Sequence, residues 1–165
     1  MEANRQPPIN YIERISATYE ALGYDQYQWR QTTSPPSFAK RVKPVSESKI
    51  GMIATGGVYN SGQVAFHYRD DASYRAIPKA TETSELRATH FAYDLTGARE
   101  DINVVFPIEA MRALEAEGQI GSLADNFLTC MGGIYSQRRV EEELAPKLVE
   151  RYLEEEVDAV LLVPV

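Results

Sequence analysis

Apolar residues in this chain fall into short runs whose spacing changes from one stretch to the next. From Asn10 to Leu22 the residues Ile12, Ile15, Tyr19 and Leu22 recur every three or four positions, which predicts a helix with one apolar stripe. Asn10 suits its N-cap, with Glu13 three residues on in the capping-box pattern, and Gly23 suits its stop. Lys49 to Thr55 is a compact apolar run that predicts a buried strand, and Gly56-Gly57 follows it at once. Leu86 to Tyr93 and Ile102 to Phe106 read as further strands. Pro107 suits the first turn of a helix whose buried stripe is Ile108, Met111 and Leu114, ending at Gly118. Ile120 to Ala124 reads as a connector and Phe127 to Met131 as another strand. Gln137 to Glu156 predicts a helix with Val140, Leu144, Leu148 and Tyr152 on one face. Pro146 calls for a break near Ala145.

The closing stretch, Val157 to Val165, holds five consecutive apolar residues from Ala159 to Val163. Such a run suits a strand covered on both faces, as in a parallel sheet. Helix followed by buried strand is half of a βαβ unit. The fold class expected is therefore α/β, a mixed and mostly parallel sheet flanked by helices, as an incomplete domain. Residues 1–48 read as a helix and loop extension, and residues 49–165 as the α/β domain. In open parallel sheets, sites form beyond the carboxyl ends of the strands. The final strand should hand over to such a site at its tip.

Composition changes this picture little. The 165 residues suffice for one ordinary core, and 44% hydrophobic with 25% charged content is typical of a globular protein. The net charge of −7 argues against non-specific nucleic-acid binding. The basic cluster Lys40, Arg41 and Lys43 could hold an anion, although a solvated loop is the simpler reading. No apolar run approaches the roughly 20 residues of a membrane span, and the polar N-terminus, Met1 to Asn10, lacks the apolar core of a secretory signal. A cytoplasmic location is the expectation. The single cysteine, Cys130, excludes a disulfide within the chain and a cysteine-cluster zinc site.

Candidate chemistry is sparse. Gly56-Gly57, at the carboxyl end of a strand, could let backbone N–H groups approach a ligand. The stretch is neither a P-loop nor a dinucleotide fingerprint, so it reads as a turn on the rim of a site. His90 could act as acid or base, oriented by Asp94, provided that a regular strand brings the two together. A structural histidine is the plainer alternative. Arg75 could anchor a substrate carboxylate. The polar stretch Asp70–Pro78 reads as a solvated turn, because two adjacent acids do not make a metal shell. Cys130 could be a nucleophile, but its neighbours Thr129 and Met131 bring no positive charge to activate it.

Several stretches together resemble the selenoprotein B family of glycine/sarcosine/betaine reductase, which includes the selenoprotein subunit of D-proline reductase. They include Gly56-Gly57-Val58-Tyr59, Asp71 to Pro78, Thr89 to Asp94, Asp101 to Pro107, Glu117 to Leu123, Met131-Gly132-Gly133 and Val157 to Val165. The resemblance implies reductive cleavage of a carbon–nitrogen bond in a small amino acid or amine. It implies a partner subunit whose pyruvoyl group holds the substrate amine as a Schiff base. A selenocysteine nucleophile follows the strand that looks like Val157 to Val165, and thiols close the redox cycle. No cofactor is expected on this chain itself. The expected selenocysteine would come after Val165, as though its UGA codon had been read as a stop. The chain alone is then expected to be inactive. Chemistry and position, rather than the resemblance, make Gly56, Gly57, Arg75, His90 and Asp94 the substrate-binding candidates. The competing reading is a non-catalytic binding or regulatory module that pairs with a reductase subunit, in a homo- or hetero-oligomer.

Overall fold

The computed structural model describes residues 10–25 and 30–165; the polar stretch Met1–Pro8 lies outside them. The chain divides into two compact units, Met1–Phe38 and Ala39–Val165.

In the first unit, α1 runs from Tyr11 to Ala21. The Asn10 side chain accepts the Glu13 N–H at 3.3 Å, and Gly23 leaves the helix in the left-handed region at φ 74°. The expected stripe is buried only at Tyr19, whose ring meets that of Tyr24 edge-on at 6.1 Å. Ile12 and Leu22 are exposed, because spacing defines a face without supplying something to cover it.

The second unit opens with β1, Lys49–Ala54, then β2, Val58–Asn60, β3, Tyr74–Pro78, and β4, Leu86–Ala88. Next come α2, Thr96–Glu100, a 3-10 turn over Ile102–Val104, and α3, Ile108–Ala116. The strands β5, Ser122–Leu123, and β6, Asn126–Cys130, precede α4, Gln137–Arg139. A π-helical turn over Val140–Leu144 joins α4 to α5, Ala145–Glu154, and β7, Ala159–Val163, closes the order.

The sheet is organised around β1. On one edge β1 pairs in parallel with the whole of β7, from Ile50↔Ala159 to Ala54↔Val163. On the other edge it pairs in parallel with β5 at its start and with β6 at its end. Antiparallel β3 flanks β6. A separate antiparallel pair joins β2 to β4. The sheet is thus mixed and mostly parallel, with helices against it, as the sequence predicts.

Alternation along β1 separates two cores. Ile50, Met52 and Ala54 face Phe106, Ile108, Met111 and Phe127. Gly51 and Ile53 face the other way, toward Leu144, Leu148 and Tyr152 of the last helices. The Tyr152 hydroxyl donates to the Met52 carbonyl at 2.6 Å and accepts the N–H groups of Met52 and Leu128. It thereby fills the place where β1 changes partner from β5 to β6.

Four expectations are corrected. Only Leu86–Ala88 is strand in the stretch up to Tyr93, so His90 sits on a loop. The stretch Ile102–Phe106 is a helical turn: Ile102, Val105 and Phe106 are its buried residues, at i, i+3 and i+4, and the Asp101 carboxylate accepts the Asn103 N–H at its start. The stretch before Pro78, expected to be a solvated turn, yields β3, because Ile77 and its neighbours pair with buried β6. Finally, β7 is parallel as expected but is an outer strand. Val160, Leu161 and Leu162 are 37%, 41% and 66% exposed, since no described element pairs with its second edge. The break foreseen at Pro146 is the π-helical turn, after which Pro146 stands in the first turn of α5, where its missing N–H costs nothing.

Candidate ligand site at the strand tips

The parallel strands β1, β6 and β7 deliver their carboxyl ends to one place. Thr55 and Gly56 follow β1, Met131 and Gly132 follow β6, and Val165 follows β7. The Thr55 hydroxyl oxygen accepts the Val165 N–H at 2.9 Å, and Gly56 bridges to Met131. Little room is left here for a side chain. A Cβ on Gly132 would come to 3.1 Å from Thr55 Oγ1 and from the Val165 carbonyl oxygen. A Cβ on Gly56 would come to 3.2 Å from the Val105 side chain.

Gly57 turns the chain away with φ 66°, and a Cβ there would lie 2.1 Å from the Thr89 carbonyl oxygen. Its own carbonyl accepts the Thr89 N–H at 3.0 Å, and its N–H donates to the Cys130 carbonyl at 3.1 Å. This turn draws the Thr89–Leu95 loop over the tip of β1. Tyr93 donates its hydroxyl to the Gly56 carbonyl at 2.9 Å, and its ring lies 4.7 Å from the His90 ring. Burial pushes the Tyr93 hydroxyl up to about 12, so it stays a donor.

His90 is buried. Its Nδ1 accepts the Ala92 N–H at 3.0 Å, and its Nε2 has no hydrogen-bond partner among the described residues. Burial lowers its pKa to about 4, against a smaller opposing pull from the Thr55 backbone. That pull acts without a hydrogen bond of good geometry.

The structure therefore gathers Gly56, Gly57 and His90 and leaves the other two candidates elsewhere. Asp94 is exposed, and its carboxylate holds the Thr96 N–H at 3.0 Å and hydroxyl at 2.8 Å ahead of α2. The regular strand that would have brought it to His90 is absent. Arg75 lies on β3, where Nε donates to the Val64 carbonyl and Nη1 to Ser73 and Tyr74. Its guanidinium stacks 4.2 Å from the Phe66 ring centre, so it pins the loop before β3. Cys130 is buried, and its thiol is pushed up to about 11 by burial, far from a reactive thiolate. Sequence reasoning missed Thr55, Tyr93 and Val105 as members of this tip. Thr55 closes an apolar run and Val105 sits in one, so neither carries a signal apart from its place in the fold.

Two clefts lie away from this point. One, of about 470 Å³, is lined by Tyr59, Arg87 and Arg99 among others. The other, of about 550 Å³, lies at the opposite end of β1 around Lys43, Lys49 and Asp158. The strand tips carry the stronger chemical argument, because the orphaned ring nitrogen is there. No group of metal-ligating side chains occurs among the described residues. No helix among them is long and apolar enough to cross a membrane.

Residues 30–165 match the family described as glycine/sarcosine/betaine reductase selenoprotein B. The chain belongs to this family. It is similar to the D-proline reductase subunit gamma of Acetoanaerobium sticklandii, with 34% identity over 130 residues, covering 79% of this chain and 54% of that protein. It is also similar to the glycine reductase complex component B subunit gamma of Symbiobacterium thermophilum, 33% identical over 129 residues, covering 73% and 29% respectively. A third relative is the sarcosine reductase complex component B subunit beta of Peptoclostridium acidaminophilum, at 29% over 124 residues, covering 70% and 28%. This selenoprotein B family member thus spans about half the length of the first relative and under a third of the other two. No solved structure matches it.

Proposed function

We propose that this chain works within a reductase complex that cleaves a carbon–nitrogen bond in a small amino acid or amine. On this reading the tips of β1, β6 and β7 form the wall against which the substrate meets the reacting groups. The supporting observation is the convergence of Thr55, Gly56, His90 and Gly132 beyond the carboxyl ends of parallel strands, in a chain of this family. A pyruvoyl carbonyl on a partner subunit would supply the electrophile that captures a primary or secondary substrate amine; the quaternary nitrogen of betaine has no lone pair and would be cleaved without that capture. The reduction also needs a low-pKa nucleophile, a selenol or activated thiol, and this reading places it at the tip of β7. Buried Cys130 does not fit that role. This chain's own share is to shape the pocket, exclude water and orient the substrate.

The test is to purify the complex from source cells through this chain and to measure dithiol-dependent C–N cleavage of glycine, sarcosine, betaine and D-proline. Turnover of one of them, with a pyruvoyl-bearing subunit in the complex, is the expected result. Association without turnover of any of the four would instead support a non-catalytic module. No association at all would overturn both readings.

A further inference from the structure

The Thr89–Leu95 loop carries one polar atom that lacks a hydrogen bond of good geometry, although the Thr55 backbone lies close enough to pull on the ring. His90 is 9% exposed, and its Nε2 is shut off from solvent without a hydrogen-bond partner among the described residues. The other ring nitrogen is committed, because Nδ1 accepts the Ala92 N–H. A backbone N–H can only donate, so Nδ1 presents its lone pair and the neutral ring carries its proton on Nε2. Burial keeps the ring neutral near pH 7. His90 therefore offers one uncharged N–H donor at the tip of β1. A buried donor left unpaired costs about 1–3 kcal/mol, and such groups in native folds call for an explanation.

The donor's surroundings restrict what can pair with it. The neighbouring Tyr93 hydroxyl is spent on the Gly56 carbonyl, and the Thr55 hydroxyl accepts from Val165. The nearby tip of β6 is kept bare by Gly132, where a side chain would press on Thr55 and Val165. An N–H donor takes an acceptor, which excludes an ammonium group as its partner. The four amino acids in the relatives' family description and names differ at nitrogen and share a carboxylate. We infer that the His90 Nε2–H receives a carboxylate oxygen of a small amino-acid ligand at the tips of β1, β6 and β7. The inference rests on the reductase reading for the identity of that ligand. The donor itself follows from the geometry. Entry requires the tip to part.

The first arm of the test is nitrogen NMR of the full chain with labelled histidine. His90 should appear as the Nε2–H tautomer, and its Nε2 signal should shift saturably with glycine, sarcosine, betaine, D-proline or acetate but not with methylamine. The opposite tautomer, or no saturable shift with any carboxylate, would overturn the inference. The second arm compares the complex carrying His90→Phe with that carrying His90→Gln, which keeps an N–H donor. Loss of one charge-assisted hydrogen bond should raise KM about tenfold or more in the Phe variant, with the Gln variant markedly closer to wild type. Equal KM values in an active complex would sink the role of His90 and leave the reductase reading standing. An inactive wild-type complex would sink the reductase reading, while the NMR arm still decides whether the donor binds carboxylates.

Discussion

The Tyr93 hydroxyl donates to the Gly56 carbonyl at 2.9 Å, and this bond fastens the loop bearing His90 to the turn that leaves β1. The placement of the candidate site depends on it. Tyr93→Phe removes the donor and leaves a half-enclosed carbonyl, so stability should fall by about 0.5–1.5 kcal/mol. A lower urea midpoint at unchanged slope would show this. Exchange of the Ala92 amide should also speed up, since that N–H is held by His90 on the same loop.

Gly57 should resist substitution more than any other glycine of the tip. Its φ of 66° costs an L-residue about 1–2 kcal/mol before any contact is considered. A methyl group would in addition strike the Thr89 carbonyl. Gly57→Ala should therefore lose more than that amount in chemical denaturation. Gly133→Ala, where nothing lies within 4 Å of the added carbon, should change stability by about 0.5 kcal/mol or less.

Tyr152→Phe should be costlier than Tyr93→Phe. The hydroxyl serves two buried N–H groups, on Met52 and Leu128, and the Met52 carbonyl. Each buried group left unpaired costs about 1–3 kcal/mol, and the ring cannot slide inward, because it already fills the space over Gly51. Calorimetry or denaturant titration of the two variants side by side gives the ranking.

Acid should weaken the fold in two separate windows. The folded pKa of His90 is lowered to about 4 from 6.5, so the unfolded chain takes up a proton that the folded chain refuses. Stability is full above pH 6.5 and falls as the pH drops toward 4, by up to about 3 kcal/mol. Asp71 acts lower. Burial raises its pKa, but hydrogen bonds from Ser73 and His67 outweigh that and leave it below 3.8. Its contribution is therefore lost only at still lower pH. His90→Gln should flatten the upper window and leave the lower one. A slope between pH 6.5 and 4 that survives the substitution would contradict the buried, neutral histidine.

Much of this architecture was legible in the sequence where pattern and packing agree. The β1 run, the β6 run and the Leu144-Leu148-Tyr152 face are buried as their spacing implies. Sequence reading failed where a short apolar run admits two periods. Ile102, Val105 and Phe106 fit a helical turn as well as Ile-Asn-Val-Val-Phe fits a strand, and the Asp101 cap decides between them. It failed again at β7, because a Val/Leu run shows that a strand can be interior without supplying the neighbour that would make it so. At the site, His90 was visible as a candidate by its chemistry alone. Its orphaned Nε2, its fixed tautomer and its distance in role from Asp94 depend on loop geometry that no local pattern encodes. Arg75 reads from its chemistry as an anchor for a substrate carboxylate, and only β3 and the Phe66 ring reveal how it is used.

On the proposed function, ligand and reacting groups meet at the bare tip where Gly132 faces Thr55 and Val165. The most direct measurement is dithiol-dependent turnover by the complex carrying Gly132→Val, beside the wild-type complex. Filling that space should cut kcat/KM by about tenfold or more, an effect of about 1.4 kcal/mol on the transition state. Turnover equal to wild type, from a complex that contains the variant chain, would place the chemistry somewhere other than the strand tips.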